Sequence, residues 1–282
     1  MPHTDKTILV FGATGRQGGG VAKKLLADGW KVHAVSRHPD KRPALELKEK
    51  GATIVQADMA DYQSLLKAMQ GVYGVYSVQP LYTNNPEIEI KHGKAIADAA
   101  QQANISHFIY GSVSGAERDS GIPHFEKKWE IEKYVRSIDL PFTIIRPSFF
   151  MENFKNFTYQ QNQKLILQGF IKQHIKLKMV SVHDIGSFVS IALHEPENYK
   201  QKAVNIAGDE MNLRQTAEAF RHYFKVRCDI DSSVREDFQK NKMFQWYESD
   251  GYQADIPKLR HIYPSLLDLP SWLETSNWYP FS

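Results

Sequence analysis

The chain has 282 residues, of which 42% are hydrophobic and 24% charged, and its 35 basic and 32 acidic residues give a net charge of +3. This composition is ordinary for a globular protein, and the small, scattered charge argues against a direct nucleic-acid surface. No apolar run approaches 18 residues and no secretory leader is evident, so no membrane association is predicted. Because Cys228 is the only cysteine, no internal disulfide can form, and a cytoplasmic setting without a metal site is expected.

The first predicted element is a buried strand at residues 8–11, which runs into three glycines, Gly12, Gly15 and Gly18, and then into a helix. This order brings backbone N–H groups and the positive end of a helix dipole to one place, which suits a pyrophosphate. A glycine-rich turn without a ligand is the alternative, but the context favours nucleotide binding. The cofactor contacts predicted within this turn are Gly12, Thr14, Gly15, Arg16, Gln17 and Gly18.

The end of the second strand distinguishes the two common dinucleotides. Residues 31–35 form this strand, and Arg37 follows it, 19 residues after Gly18. NAD-binding units carry an acidic residue near this point, which would repel a 2′-phosphate. A guanidinium instead binds a phosphate through paired, charge-assisted hydrogen bonds, and Arg16 and Lys41 are further candidates. The absence of an acidic residue here predicts NADP(H) as the cofactor, although each basic residue could also be an ordinary solvated one.

Strands and helices continue to alternate along the chain. This alternation predicts an α/β protein with a doubly wound Rossmann parallel sheet and a small, partly interleaved C-terminal α/β lobe. The Rossmann domain is expected to span residues 1–152, with residues 178–208 returning to the sheet, and the lobe to span 153–177 and 209–282. Later strands are predicted at residues 52–55, 74–78, 108–110, 142–145 and 203–206, and later helices at 61–71, 87–103, 125–137, 154–173 and 213–224.

Ligands of such sheets lie across the carboxyl ends of the strands, so the segments that follow each strand are candidate contacts. Asp58 could place a carboxylate near an adenine amino group, with the thioether of Met59 beside the ring. Asp58 could equally be a loop cap, and Ser112 could simply close a turn. The cofactor contacts predicted at the strand ends are Asp58, Met59, Ser77, Gln79, Ser112, Pro147 and Phe150.

His124 and Lys128 are the candidate catalytic residues. In short-chain dehydrogenases a tyrosine and a lysine four residues apart face the same side of a helix. The lysine binds the nicotinamide ribose, and the tyrosine exchanges a proton with the substrate. Here Lys128 fills the lysine position and is a predicted cofactor contact, whereas His124 stands in the tyrosine position, next to Pro123 in a predicted loop. A histidine could act as a general acid near neutral pH.

Substrate-binding residues are predicted in the C-terminal part of the chain. Phe149 and Asn153 follow the sixth strand, and Trp246 belongs to a segment rich in aromatic residues. The alternative interpretation is that these aromatic side chains fill the core of the small lobe.

The combined pattern resembles the NmrA-like family of atypical short-chain dehydrogenases over about residues 6–225. The resemblance implies NADP(H) binding. The segments that carry it are the glycine turn, Arg37, Asp58, residues 110–116 (YGSVSGA), His124-Phe125, residues 128–132 (KWEIE), residues 140–153, residues 180–186 and residues 205–208.

Within this family the resemblance leaves two functions open. The departure at His124 favours a redox sensor that regulates a protein partner. The alternative is an NADPH-dependent reductase of quinones or other small carbonyl compounds, because some family reductases also lack the tyrosine. A third interpretation is an interaction module in which the cofactor only stabilises the fold.

The cofactor prediction is tested by Arg37→Ala. Loss of one charge-assisted contact with the 2′-phosphate should weaken NADPH binding about ten- to a hundredfold. NADH, which lacks that phosphate, should lose little affinity. Fluorescence titration measures both, and an unchanged affinity for NADPH would contradict the assignment.

Overall fold

A computed structural model describes residues 5–80, 86–231, 233 and 241–280. The chain divides into two compact units. Unit 1 comprises Met1–Glu117, Pro123–Arg146 and Ile185–Val204, and unit 2 comprises Arg118–Ile122, Pro147–Asp184 and Asn205–Ser282.

The strands of the described residues are β1 (Thr7–Val10), β2 (Lys31–Ser36), β3 (Thr53–Gln56), β4 (Gly74–Ser77), β5 (His107–Gly111), β6 (Phe142–Pro147), β7 (Phe149–Phe150), β8 (Thr158–Gln161), β9 (Lys164–Gln168), β10 (Leu177–Val180), β11 (Lys202–Ile206), β12 (Asp209–Met211) and β13 (Cys228–Asp231). The α-helices are α1 (Arg16–Ala27), α2 (Arg42–Glu49), α3 (Tyr62–Ala68), α4 (Pro86–Gln102), α5 (Pro123–Ser137), α6 (Val182–His194), α7 (Pro196–Tyr199), α8 (Leu213–Phe224), α9 (Lys242–Ser249), α10 (Ile256–Ile262) and α11 (Leu269–Thr275). No helix in this part of the chain is both long and apolar enough to cross a membrane.

The main sheet confirms the predicted doubly wound fold. Its strand order is β3-β2-β1-β4-β5-β6-β11, and each neighbouring pair from β3 to β6 runs parallel. The order reverses between β1 and β4, which is where Rossmann folds bind their ligands. Ile8, Leu9 and Val10 of β1 are all fully buried. Because successive strand residues point to opposite faces, both faces of the sheet are covered.

Helices α4 and α5 pack closely on one face of this sheet. Ile96 of α4 and Ile131 of α5 are fully buried in one core cluster. The hydroxyl of Tyr134 on α5 donates a hydrogen bond to Asp98 Oδ1 on α4, at 2.5 Å. These contacts fix the separation of two helices that both carry residues of the candidate site.

Unit 2 contains two three-stranded sheets, in the orders β12-β10-β7 and β13-β9-β8. Its helix α8 begins with a capping box, in which Asn212 and Gln215 each bond the other's backbone N–H group. Several buried phenylalanines of this unit are in ring-to-ring contact. Phe149, for example, stacks on Phe170 with ring centroids 5.5 Å apart.

The helix predicted over residues 154–173 is wrong. A 3₁₀ helix over Met151–Asn156 is followed by an antiparallel hairpin of β8 and β9. Asn162 and Gln163 turn the hairpin with φ values of 49° and 61°. Asparagine tolerates this left-handed conformation, and two such residues make the turn that hairpins prefer. The hairpin is also held by β13, which pairs with β9 from far along the chain.

The loop predicted at His124 is also wrong. The fifth helix begins at Pro123, so His124 lies in its first turn. Proline has no N–H group, but the first N–H groups of a helix need no helical partner, so proline suits this position. Helix α2 is a further element that the sequence pattern did not predict.

Candidate functional site

The glycine turn after β1 is tightly closed. Gly12 has a φ of +67°, and the Gly15 N–H group donates to the Gly12 carbonyl oxygen at 2.9 Å. A Cβ atom on Gly18 would lie only 2.3 Å from that same oxygen. The turn therefore requires glycine at Gly12 and Gly18, and α1 begins directly against the end of β1.

The N-terminus of α1 is open to an anion. Its N-cap residue, Gly15, has no side chain to cap the helix, and the first turn carries no acidic residue. The first N–H groups of an α-helix have no acceptor in the helical hydrogen-bond pattern. Thr14 and Gly15 are exposed, so solvent reaches the turn. Together these features offer N–H donors at the positive end of the helix dipole.

Arg37 and Asp58 both act on one buried imidazole. His92 on α4 is buried, and burial lowers its pKa. The charge of Asp58 opposes this shift of the pKa, whereas the charges of Lys91 and Arg37 add to it. The sequence pattern did not identify His92 as a candidate residue. Arg37 follows β2 directly and is exposed. Arg16 and Lys41 are also exposed.

Asp58 and Met59 follow β3. Asp58 Oδ1 accepts a hydrogen bond from the Ala60 N–H group at 2.9 Å, and the Asp58 N–H group donates to Ser64 Oγ at 3.0 Å. One carboxylate oxygen of Asp58 thus caps the loop. Met59 is half-buried and packs against the core of unit 1.

A buried acceptor lies at the end of β4. Gln79 Nε2 donates to Ser77 Oγ at 2.8 Å, and both side chains are buried. Gln79 Oε1 is also buried, and among the described residues it has no hydrogen-bond partner. Buried acceptors are normally satisfied, so this oxygen is suited to receive a donor from a ligand.

The Gln17 side chain turns inward from the glycine turn. Its Nε2 donates to the buried Tyr76 hydroxyl at 2.9 Å. A Cβ atom on Gly111 would lie 2.5 Å from that hydroxyl and 3.0 Å from Gln17 Nε2. The glycine turn, β4 and the end of β5 therefore meet at Gly111, where Gln17 fixes the turn.

Lys128 lies beside Gly111. Its Nζ is 3.4 Å from the Gly111 carbonyl oxygen and 3.1 Å from Oε1 of Glu89. The other carboxylate oxygen of Glu89 is 3.1 Å from Lys127 Nζ. Glu89 is fully buried, and both lysines are at least nine-tenths buried.

Glu89 is the main functional residue that the sequence analysis missed. It lies seven positions before Ile96 and four before Gly93, on the face of α4 that the spacing predicts to be buried. A carboxylate on an apolar helix face was the available signal, because such a group needs a buried partner. Its partners lie almost 40 residues along the chain, and the spacing pattern does not identify them.

The pKa values of Glu89 and Lys128 depend on the other charges of this cluster. Burial alone would raise the pKa of Glu89, but Lys128 and Lys127 hold it below its ordinary value. Burial lowers the pKa of Lys128, and the Glu89 carboxylate opposes that shift. The carboxylate is therefore ionised, and it favours the charged form of Lys128.

His124 is a neutral imidazole at pH 7. Burial lowers its pKa to about 4, and the charge of Lys128 adds to that effect. Its Nδ1 is buried and has no hydrogen-bond partner in the described part of the chain. His124 therefore cannot act as an imidazolium acid near neutral pH.

The Ser112 hydroxyl group already donates a hydrogen bond within the protein. Ser112 Oγ donates to Oε1 of the fully buried Glu132 at 2.5 Å. Arg146 binds both oxygens of that carboxylate, through Nε at 2.9 Å and Nη2 at 2.5 Å, and also binds Glu117 at 2.7 Å. Ser112 can therefore accept a hydrogen bond from a ligand but has no proton left to donate.

The remaining predicted residues belong to unit 2. Phe149 is buried among aromatic rings, and Phe150 and Asn153 are half-buried close to it along the chain. Trp246 is also buried, with the Arg118 guanidinium 4.6 Å from its ring. Phe149 and Trp246 are thus core residues of unit 2, and Pro147 is the last residue of β6. Across the described residues, no group of three or more metal-binding side chains is arranged to hold a metal ion.

The sequence matches the model of the NmrA-like family over residues 4–256. An NmrA-like family domain-containing oxidoreductase of Aspergillus flavus is 30% identical over 251 residues, which cover 78% of this chain and 73% of that protein.

Two solved structures share the fold. NmrA, a negative transcriptional regulator in complex with NADP, is 18% identical and has a TM-score of 0.81, over 99% of this chain and 100% of that one. An NADPH-dependent quinone oxidoreductase of Escherichia coli, complexed with NADPH, is 19% identical with a TM-score of 0.75, over 96% and 99% of the two chains. The family match spans most of the sequence, and the chain belongs to the NmrA-like family.

Proposed function

We propose that the chain binds NADP(H) at the glycine turn and transfers its hydride to a small electron acceptor of the quinone type. The observation that carries this proposal is the buried ammonium group of Lys128, 3.4 Å from the Gly111 carbonyl oxygen, at the sheet edge where the glycine turn lies. The buried Oε1 of Gln79, which has no hydrogen-bond partner among the described residues, also fits a bound cofactor.

Each part of the cofactor has matching residues in unit 1. The N–H groups of the first turn of α1 suit the pyrophosphate. Arg37, with Arg16 and Lys41, suits the 2′-phosphate, because the acidic residue that would repel it is absent. Asp58 and Met59 are assigned to the adenine. The residues assigned to the nicotinamide half are Ser77, Gln79, Ser112 and Lys128, and Pro147 and Phe150 of unit 2 stay predicted contacts.

The protein's own groups orient the reactants and supply little acid catalysis. The bound cofactor supplies the hydride, and a quinone that accepts it also takes one proton to become a hydroquinone. Lys128 holds the nicotinamide ribose, as the lysine of short-chain dehydrogenases does. His124 is neutral at pH 7 and Ser112 has no free proton, so we assign the proton to solvent. A quinone suits this site, because its reduction restores aromaticity and needs less acid catalysis than that of a ketone.

The names of the relatives agree with this proposal. The Aspergillus flavus relative is called an oxidoreductase, and the Escherichia coli structure is an NADPH-dependent quinone oxidoreductase. Phe149, Asn153 and Trp246 of unit 2 stay the predicted substrate contacts.

A second candidate function is a redox sensor that binds NADP(H) and regulates a protein partner. The observation in its favour is the replacement of the usual tyrosine by His124, whose pKa of about 4 removes the ordinary proton donor. The regulator NmrA, which shares the fold, is also described in complex with NADP.

Replacement of Lys128 tests the reductase proposal. In Lys128→Met the ribose loses a charged donor, so kcat/KM for quinone reduction should fall about ten- to a hundredfold. Lys133→Met is the matched control, since Lys133 is an exposed lysine on the same helix, and its rate should change less than about twofold. The rates are followed by NADPH absorbance across a panel of quinones.

An equal rate in Lys128→Met and the wild type would contradict the proposed role of Lys128. Wild-type protein that binds NADPH but does not oxidise it with any quinone of the panel would contradict hydride transfer. This second result supports the sensor function, which then requires a partner whose affinity differs between the NADPH-bound and NADP⁺-bound protein.

The assignment of His124 as a neutral imidazole predicts its titration. Its folded pKa of about 4 lies below the ordinary value of 6.5, so the stability it contributes is complete above pH 6.5 and is lost as pH falls towards 4. NMR titration of the imidazoles, assigned with His124→Gln, should show no His124 transition near pH 6.5. Between pH 7 and pH 5, the wild type should lose more free energy of unfolding than His124→Gln. A His124 midpoint near 6.5 would restore it as a candidate general acid.

A further inference from the structure

We propose that Glu89 is a positioning residue for the nicotinamide half of the cofactor. Glu89 acts through Lys128, whose ammonium group it holds in place and in the charged form. This inference rests on the proposed binding of NADP(H).

The geometry of the carboxylate points to this role. The two oxygens of Glu89 are divided between two lysines, with Oε1 at 3.1 Å from Lys128 Nζ and Oε2 at 3.1 Å from Lys127 Nζ. A lysine has a flexible four-carbon stem, and its ammonium group has no fixed direction of its own. The fixed carboxylate supplies that direction, so Lys128 Nζ is held between Glu89 and the Gly111 carbonyl oxygen.

The fold holds Glu89 itself in place. Glu89 lies in the first turn of α4, where the helix dipole favours a negative charge. Helix α4 is tied to α5 by the hydrogen bond from Tyr134 to Asp98 and by the buried contact region around Ile96 and Ile131. Lys128 and its carboxylate partner thus belong to two helices that are also held together by contacts outside the site.

The pair also lies at the proposed cofactor site. Gly111, whose carbonyl oxygen faces Lys128, is in direct contact with Tyr76 and Gln17, and Gln17 belongs to the first turn of α1. Ser112, the residue after Gly111, has an Oγ that can still accept a hydrogen bond. A ribose hydroxyl could use such an acceptor as well as the Lys128 donor.

The charge of Lys128 depends on its neighbours on three elements. Burial lowers the pKa of Lys128, and Glu89 of α4 raises it. On α5, Lys127 lowers it and Glu132 raises it, and His124 is neutral. The hydroxyl of Tyr110 on β5 has its pKa raised by burial and stays protonated. Glu89 and Lys127 therefore act on Lys128 in opposite directions.

The first experiment compares two ligands of the 282-residue chain. NADPH contains the nicotinamide half, and adenosine 2′,5′-bisphosphate does not. In Glu89→Gln the affinity for NADPH should fall about tenfold or more, because the buried lysine loses its charged partner, whereas the bisphosphate should bind as before. Glu130→Gln is the matched control, since Glu130 is an exposed glutamate on α5, and both of its affinities should be those of the wild type.

The second experiment measures how the ratio of the NADPH affinity to the bisphosphate affinity depends on pH. The titration of the 2′-phosphate, which both ligands carry, cancels in this ratio. In the wild type the ratio should fall at alkaline pH as Lys128 loses its proton. This fall should move to lower pH in Glu89→Gln and to higher pH in Lys127→Met, which removes the like charge. A purely structural role for Glu89 would not shift the two variants in opposite directions.

The outcomes separate the two proposals. If the wild type binds neither ligand, the proposed cofactor binding fails. If the wild type binds both but Glu89→Gln weakens them equally, or leaves the NADPH affinity unchanged, the positioning role is overturned while cofactor binding stands. If Glu89→Gln does not fold, Lys127→Met decides, because an unshifted or lower alkaline midpoint overturns the role.

Discussion

The ion cluster of Glu89, Lys127 and Lys128 is the constraint on which the candidate site depends. A fully buried carboxylate is strongly unfavourable unless cations and hydrogen bonds compensate for its lost hydration. Here two lysines of α5 compensate a glutamate of α4, so neither helix can move away from the other without exposing an unpaired charge. The separation of the two helices is therefore set by electrostatics as well as by apolar packing, and the position of the Lys128 ammonium group at the sheet edge follows from it.

A second buried network also pairs a carboxylate with a cation, and it limits which groups of the site can donate a proton. Arg146 forms an ion pair with Glu132, and that carboxylate accepts the hydrogen bond that the Ser112 hydroxyl donates. With His124 neutral as well, neither its imidazole nor the Ser112 hydroxyl can serve as the acid. Such a site is better matched to acceptors that take a hydride without strong proton assistance than to simple ketones. Under the proposed function this preference rests on His124 and Ser112, and the family resemblance alone does not provide it.

The parts of the protein that the sequence predicts correctly depend on local patterns. The alternation of apolar strands with helices predicted the doubly wound sheet, because parallel strands need helical crossovers. Residues 154–173 were predicted wrongly because their hairpin is held by β13, a strand about 60 residues later. Glu89 was missed for a similar reason. Its face on α4 could be predicted from spacing, but its lysine partners are brought to it only by the packing of α4 on α5.

The central claim is that the Lys128 ammonium group meets the nicotinamide half of the cofactor. It is tested most directly by the ¹⁵N resonance of Lys128 Nζ, assigned with a Lys128→Arg variant, in protein titrated with NADPH and with adenosine 2′,5′-bisphosphate. The account predicts a large change in this resonance on saturation with NADPH and almost none with the bisphosphate. Equal changes with both ligands, or no change with bound NADPH, would contradict it.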